Sequence, residues 1–517
     1  MSRFPWGVLV LAALAWNVLA TDQIRAAQTA RNAPAPAARP KGLVWVVPAD
    51  GSARSAFSTI AEAIDAAADG DTVLLAPGVF RGPGNRDLLV EGKNLRIEHQ
   101  GDPDRCVIDA EGLGFGFYFD GDEVSCETLL RGVTIANGNG LRGAGIRCEN
   151  GASPTIERCI IRDCSAGIGG GISYFTTSFT TQIGRIVDCE IRGNYSTSGG
   201  GGLQVAGVDI ERCLIIDNTS DFDGAGVNAI GAMGSIRNSI VAGNRWTGTN
   251  GRIGGGLSVQ EFLYVIENCT IVGNEAELGP GIAFFNGDPT ATVVNTILWG
   301  NVSPLSPQQV WHMTAFGTSV ATFRYCDIEG GASPGISVFG RPPTVSNILD
   351  VDPLFDPATP EEYLLSPASP LIDMGEPGTK PAPNAADQQR EARANGPVDI
   401  GADEHWPAPV LTLPTPGRAG ERNEWTLRGA GSNTLVLFLT GNTAGSIAPF
   451  ERCPSSVLGI LSPSILGLRR GRANGEVVVR AQVPASAAGL EGLYQAVVLD
   501  TASGTCEVTP VVPFVFP

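Results

Sequence analysis

Histidine is nearly missing from this chain: His99, His312 and His405 are the only three, and no two lie close in sequence. That spacing offers no paired-imidazole metal site. Cysteines number 11, yet no C-x-x-C pair occurs, so neither a zinc ribbon nor a thioredoxin-type redox motif is written here. Charged residues make up only 17%, the net charge is -18, and no basic patch of useful size exists, which excludes nucleic acid as a partner. No G-x-S-x-G elbow, Walker loop or dinucleotide fingerprint is found. Long apolar runs are also lacking beyond the first residues, so no transmembrane segment is expected in the mature chain. That first stretch reads as a signal peptide over residues 1–20. Arg3 supplies the positive start, Val8–Ala15 the short apolar run, and Val18, Leu19 and Ala20 a small-x-small cleavage site before Thr21. Residues 21–41 are an Ala/Pro-rich linker. The expected location is therefore outside the cell, secreted or on a bacterial surface.

Glycine, by contrast, is abundant at 67 of 517 residues, without a collagen period, and implies many tight turns between short strands. One pattern recurs: a short strand, then Cys or another small residue, then x, an aliphatic, two residues and Asn. IVDCEIRGN (186–194), IERCLIIDN (210–218), IRNSIVAGN (236–244), IENCTIVGN (266–274) and VVNTILWGN (293–301) are the clearest copies. Anchors fall at Cys106, Val133, Cys159, Cys189, Cys213, Ser239, Cys269, Thr296 and Cys326, with steps of 24 to 30 residues. A second marker, GAGI, GGGI, GGGL or GPGI, follows most copies, from Gly143–Ile146 to Gly279–Ile282.

This period selects the architecture. No ten-residue helix fits between the strands, which excludes leucine-rich and helical repeats, and a propeller blade needs about 40–45 residues. What fits is three short strands and three turns: one coil of a right-handed parallel β-helix over residues 42–405, with coils stacked about 4.8 Å apart. The anchor cysteines should pile up inside as small hydrophobes. Asn194, Asn218, Asn244, Asn274 and Asn301 should form a ladder at one turn, each amide bonding neighbouring coils. Both ends of such a stack need covering. Ser58–Ala68 predicts a short amphipathic helix capped by Ser58 and stopped by Gly70, and the Pro-rich stretch 351–404 predicts a closing cap. From 406 to 517, alternating strands predict a separate small β-sandwich. Cys453 and Cys506 are its only cysteines, and a disulfide between them is expected.

The segment WVVPADGSARSAFSTIAEAIDAAADGDTVLLAPGVFRG resembles the start of bacterial β-helix proteins of the pectin-lyase-like superfamily. The G-G-G-[IL] and I-x-x-N markers resemble the repeats of polymorphic outer-membrane proteins, and DPLF…YLLSPASPLIDMG…DIGADE resembles the terminal motif of "choice-of-anchor Q" proteins. Together these cover roughly residues 44–404. Members of the superfamily include polysaccharide lyases, glycoside hydrolases, epimerases and adhesive surface proteins. The resemblance therefore implies a polysaccharide or cell-surface partner without fixing an activity.

Two chemistries suit such a partner: a carboxylate pair for glycoside hydrolysis, and an Arg or Lys base beside an acid-bound cation for elimination. Asp120, Asp122 and Glu123 (DGDE) are candidate cation ligands, with Ca²⁺ the cofactor they would take. Asp221 and Asp223 (DFDG) are candidate ligand contacts, as are Arg192, Arg212 and Arg237 if stacked on one face to meet acidic sugars. The alternative for these arginines is pairing with carboxylates of adjacent coils. No histidine is flanked as in the Gly-His-Gly motif of polygalacturonase-like hydrolases. The expectation is an exported, monomeric β-helix that binds carbohydrate or cell-surface polymer; the alternative is a Ca-dependent polysaccharide lyase or a glycoside hydrolase acting on acidic polysaccharide.

Overall fold

The structure is a computed structural model. It describes residues 44–516 apart from 50–56, 176–182, 232–233, 250–252, 261–262, 286–289, 306, 314–320, 358–362, 379–386, 389–397, 406–409, 429–433, 448–457, 461–462, 471–476 and 501–505. The expected signal peptide, linker and Cys453–Cys506 pairing lie outside the described residues.

Short β-branched segments, each too brief to satisfy its backbone alone, pair with their equivalents one coil away. Val208–Glu211 lies parallel to Gly184–Val187 on one side and to Gly234–Arg237 on the other. Leu214–Ile216 does the same between Glu190–Arg192 and Ile240–Ala242. These two columns make up most of a 21-stranded sheet; a ten-stranded sheet and a five-stranded sheet complete the coil. The fold is thus an all-β parallel β-helix.

The two strand columns meet at a one-residue corner in the left-handed region. Arg158, Asp188, Arg212, Asn238, Asn268, Asn295 and Tyr325 all have φ between 48° and 54°. The next residue is the anchor, and it points inward: Cys106, Cys159, Cys189, Cys213, Cys269 and Cys326 are buried in one continuous core with the aliphatic positions. Desolvation pushes the Cys189 thiol up, and those of Cys106 and Cys326 to about 12.

The Asn ladder forms as expected. Each Asn accepts from the previous coil and donates forward: Asn218 Nδ2 donates to Asn244 Oδ1 (2.9 Å), and Asn244 Nδ2 to Asn274 Oδ1 (2.9 Å). The ladder starts at Cys164, whose N–H donates to Asn194 Oδ1 (3.0 Å), and ends on Gln309, whose Oε1 accepts from Asn301 (2.8 Å). The glycine marker is tied to it. Gly224 turns with φ +65°, and a Cβ on Gly226 would lie 3.0 Å from Asn244 Nδ2 and 2.5 Å from Gly256 O. The two sequence markers recur in step because they touch. A second, shorter ladder was missed: Asn295 Nδ2 donates to Asn268 Oδ1 and Asn268 Nδ2 to Asn238 Oδ1, each at 3.1 Å.

The N-terminal cap is helix α1 (Ile60–Ala66), shorter than expected. Its N-cap is Thr59 rather than Ser58, because Thr59 and Glu62 form a reciprocal capping box, and its C-cap is Ala67, ahead of Gly70. Ile60, Ala63 and Ile64 face the core.

The expected closing cap is a larger correction. The described parts of 351–404 do not close the end; they run back along the side of the stack. Leu365, Leu371, Ile400 and Ala402 cover an apolar stripe of Ile240, Ala242, Val272 and Ile297, whose side chains face away from the coil interior. Thr270 Oγ1 accepts from Ala402 N–H (2.9 Å), and Asn295 Oδ1 from Glu376 N–H (2.8 Å). The acidic motif is structural: the carboxylates of Asp387, Asp399, Asp403 and Glu404 accept backbone N–H groups of the same strap. An outward apolar stripe left uncovered would be an exposed hydrophobic patch, and the strap covers it.

The C-terminal region is antiparallel, with three-, five- and two-stranded sheets and its own core around Trp425, Phe438 and Phe514. It meets the coils through ion pairs. Arg131 bridges Glu98 (2.9 Å) and Glu421 (3.1 Å), and Arg418 bridges Glu157 (2.6 Å). Among the described residues, no helix is long and apolar enough to cross a membrane.

Candidate functional site

The corner column positions the clearest site. A residue in the left-handed region projects at the junction of two strands, and coils 4.8 Å apart, roughly, align such residues. Three of its seven positions, Asn238, Asn268 and Asn295, are Asn, which suits that backbone. Three successive coils instead carry Arg158, Asp188 and Arg212. Here a lateral cleft of about 380 Å³ opens, lined by Arg158, Asp188, Glu190, Arg212, Leu214 and the strap's Gln388, with Asp102, Pro103 and Asp104 on a 3-10 turn to one side. Cys159 and Cys189 lie at its floor.

Within the cleft the charges differ sharply in status. Arg212 is mostly buried and bridges Asp188 (2.7 Å) and Glu211. Burial works against its charge, but the two carboxylates raise its pKa further. Glu190 pairs with Arg192 (2.5 Å). Arg158 is half-buried and, among the described residues, has no carboxylate within ion-pair distance, whereas Arg131, Arg185, Arg192, Arg212, Arg237 and Arg324 all have one. A guanidinium on a left-handed corner residue, with no carboxylate partner among the described residues, is a candidate contact for a ligand.

The sequence-derived candidates distribute as follows. Arg212 lines the cleft but is paired, and Arg192 lies outside it, paired with Glu190 of the cleft wall. Arg237 lies further along the column of strands, paired with Glu267 (3.1 Å). Adjacent-coil pairing therefore describes Arg212 and Arg237 better than a bare cationic face. Asp120 accepts from Asn150 Nδ2 (2.6 Å), while Asp122 and Glu123 are exposed; among the described residues no group of three His, Cys, Asp or Glu is arranged to hold a metal. Asp221 accepts from Tyr195 Oη (2.5 Å) and Thr247 Oγ1 (2.9 Å), bracing three coils.

Asp223 belongs to a different surface. It is buried, its Oδ1 has no partner, and desolvation raises its pKa to about 7. Near it runs the outward row of the ten-stranded sheet, where Tyr118, Arg147, Ser173, Gln204, Asn228 and Ser258 occupy successive coils. Tyr118 Oη, Arg147 Nε, Ser173 Oγ and Ser258 Oγ are also unpartnered and buried. This row is dehydrated, so it is less accessible to a polymer than the cleft.

Sequence reasoning missed Arg158, Asp102, Asp104 and Gln388 as a group. The signal for Arg158 was present: it immediately precedes an anchor, and that position is Asn in three later copies. Gln388 had no such signal, since the strap's return along the side is a long-range event.

No family model and no curated protein matches this chain. Among solved structures, one titled "Crystal structure of pectate lyase Pel9A" aligns with TM-score 0.43 and 16% identity over 71% of this chain and 97% of that one. The enzymatically active domain of tailspike protein 4 of bacteriophage CBA120 aligns with TM-score 0.23 and 9% identity, over 86% of this chain and 64% of that one. Those likenesses are too distant to transfer residues or activity. The strand columns, corner and ladder described above make the fold of this chain a parallel β-helix.

Proposed function

We propose that this protein is an exported β-helix that binds carbohydrate, a polysaccharide or cell-surface polymer, in the lateral cleft at Arg158. The N-terminal segment supports export, to the medium or a bacterial surface, with anchorage of the kind the strap's terminal motif resembles. The observation that carries the binding reading is the Arg158 guanidinium, without a carboxylate partner among the described residues, in a cleft also bearing Asp102, Asp104 and Gln388. Guanidinium and carboxylate groups form bidentate hydrogen bonds with vicinal hydroxyls and, for Arg, with uronate carboxylates. A side cleft on a rigid stack leaves both directions open to an extended chain.

A second reading, a polysaccharide lyase, rests on the same residue, because an arginine that has no carboxylate partner among the described residues is placed to act as the base in elimination. It also requires neutralisation of the uronate, for which Ca²⁺ held at Asp102 and Asp104 is the chemistry to test.

The experiment is binding of polygalacturonate, alginate and a neutral glucan to wild type and Arg158→Ala by calorimetry, with Ca²⁺ and with chelator. Loss of one charge-assisted hydrogen bond should weaken binding of the acidic polymer by roughly 10- to 100-fold. Equal binding by Arg158→Ala would remove the cleft from consideration. Ultraviolet-absorbing unsaturated products, abolished in Arg158→Ala, would favour the lyase reading.

A further inference from the structure

The sequence IERC occurs twice, at 156–159 and at 210–213. The repeat sets the two copies at the same point of the coil, two coils apart. Glu157 pairs in register with Val187, and Val187 with Glu211. Arg158 and Arg212 turn the same corner, with φ of 53° and 52°. Their ion pairs nevertheless differ. Arg212 pairs with Glu211, the residue just before it, and with Asp188 of the preceding coil. Arg158 makes no such pair with Glu157.

The difference lies in what else each glutamate meets. Glu157 is buried and taken by the C-terminal region: Arg418 Nη2 donates to its Oε2 at 2.6 Å. Arg131 stands 4.0 Å from its other oxygen, but is held more closely by Glu98 (2.9 Å) and Glu421 (3.1 Å). Asp188, one coil beyond Arg158, is taken by Arg212 through both oxygens, at 2.7 and 3.4 Å. The corner before Arg158 is Gly132, which has no side chain to offer. Each carboxylate beside Arg158 is thus engaged by another arginine.

We propose, on the reading of the cleft as the binding site, that Arg418 regulates it. By engaging Glu157, Arg418 keeps that carboxylate off Arg158, and the guanidinium is left for a ligand only while the C-terminal region is seated on the coils. With Arg418 withdrawn, Glu157 pairs with Arg158 as Glu211 pairs with Arg212, and an acidic polymer must compete with an internal carboxylate. Arg418 is a positioning residue. By linkage, a polymer that takes Arg158 also favours the seated region.

The test uses the full chain and two readouts. Affinity for polygalacturonate, by calorimetry, should fall roughly three- to tenfold in Arg418→Ala, in proportion to the share of molecules whose Arg158 remains free. Adding Glu157→Gln to Arg418→Ala should restore wild-type affinity, because an amide carries no charge to hold the guanidinium; a loss of docking alone would not be restored. The second readout needs no ligand. Shifts in the urea unfolding midpoint for Glu157→Gln and Arg158→Gln should add in the wild-type background and fail to add in Arg418→Ala. Additive shifts in both backgrounds, or no recovery with Glu157→Gln, would overturn the proposal. Polymer binding lost in Arg158→Ala but unchanged in Arg418→Ala would overturn it while leaving the cleft as the binding site. Equal binding by Arg158→Ala would remove the cleft, and its regulation with it.

Discussion

Replacing Asn244 by Leu tests the ladder where it is most complete. Asn244 is fully buried, and its side chain makes four hydrogen bonds. Oδ1 accepts from Asn218 N–H (3.0 Å) and Asn218 Nδ2 (2.9 Å), while Nδ2 donates to Ile215 O (2.9 Å) and Asn274 Oδ1 (2.9 Å). Leucine preserves approximate size but satisfies none of them. Asn274 Oδ1 keeps the backbone N–H of residue 244, and Asn218 Nδ2 keeps Ile191 O. Left without partners are Asn218 N–H, one Asn218 Nδ2 hydrogen and Ile215 O. At about 1–3 kcal/mol for each orphaned buried group, with incomplete additivity, the loss should be on the order of 3–6 kcal/mol. The methyls add to this, since Nδ2 sits where a Cβ on Gly226 would be 3.0 Å away, a separation suited to an amide rather than a methyl. Guanidinium unfolding followed by circular dichroism, with the exposed Ser198→Ala as control, measures the effect. A loss below about 1 kcal/mol, indistinguishable from the control, would refute the claim that the amides hold the coils together.

Two further outcomes follow from buried groups. Asp223 keeps its proton in the fold up to a pKa of about 7, whereas in the unfolded chain it ionises near 3.9, roughly. Between those values the native state holds the extra proton, so stability falls as pH rises, by up to an order of 3–4 kcal/mol in total. Asp223→Asn should remove that slope; an unchanged pH profile of unfolding would contradict the burial argument. The interior thiols are desolvated, so alkylation of native protein at pH 8, mapped by mass spectrometry, should label Cys126 rapidly and leave Cys106, Cys148, Cys164, Cys189 and Cys326 untouched until unfolding. Rapid labelling of Cys189 would show that the column opens readily.

The coil was legible because its determinants are local and repeated. Each anchor, each Asn and each marker glycine answers to a turn a few residues long, and the contact between Gly226 and Asn244 is merely the same turn met again one coil later. Helix α1 was legible for the same reason, with the cap displaced by one residue because Thr59, not Ser58, lies three residues before Glu62. The strap was not legible. Its apolar residues, Leu365, Leu371 and Ile400, could as well have closed the end, and only the outward stripe of Ile240, Val272 and Ile297 decides where they go. That stripe is hidden in the repeat itself, where an outward Ile looks like any strand residue. The cleft inherits both cases: Arg158 follows from the column, and Gln388 arrives from 230 residues downstream. At the expected cation site, Asp120, Asp122 and Glu123 are not arranged as a group of three among the described residues, since carboxylates adjacent along a turn diverge unless the chain folds back around a common centre.

The strap also acts as a gauge of length. Its contacts with Thr270 and Asn295, and its seat on Ile240, Val272 and Ile297, fit only if those particular coils are stacked in register. A whole coil could be gained or lost nearer the start of the stack without the strap sensing it. The same change between Ser239 and Thr296 would leave the strap one rung out of step and the apolar stripe uncovered. Variation in coil number should therefore be tolerated on one side of the molecule and forbidden on the other, and the cleft, at the strap's edge, sits on the boundary between them.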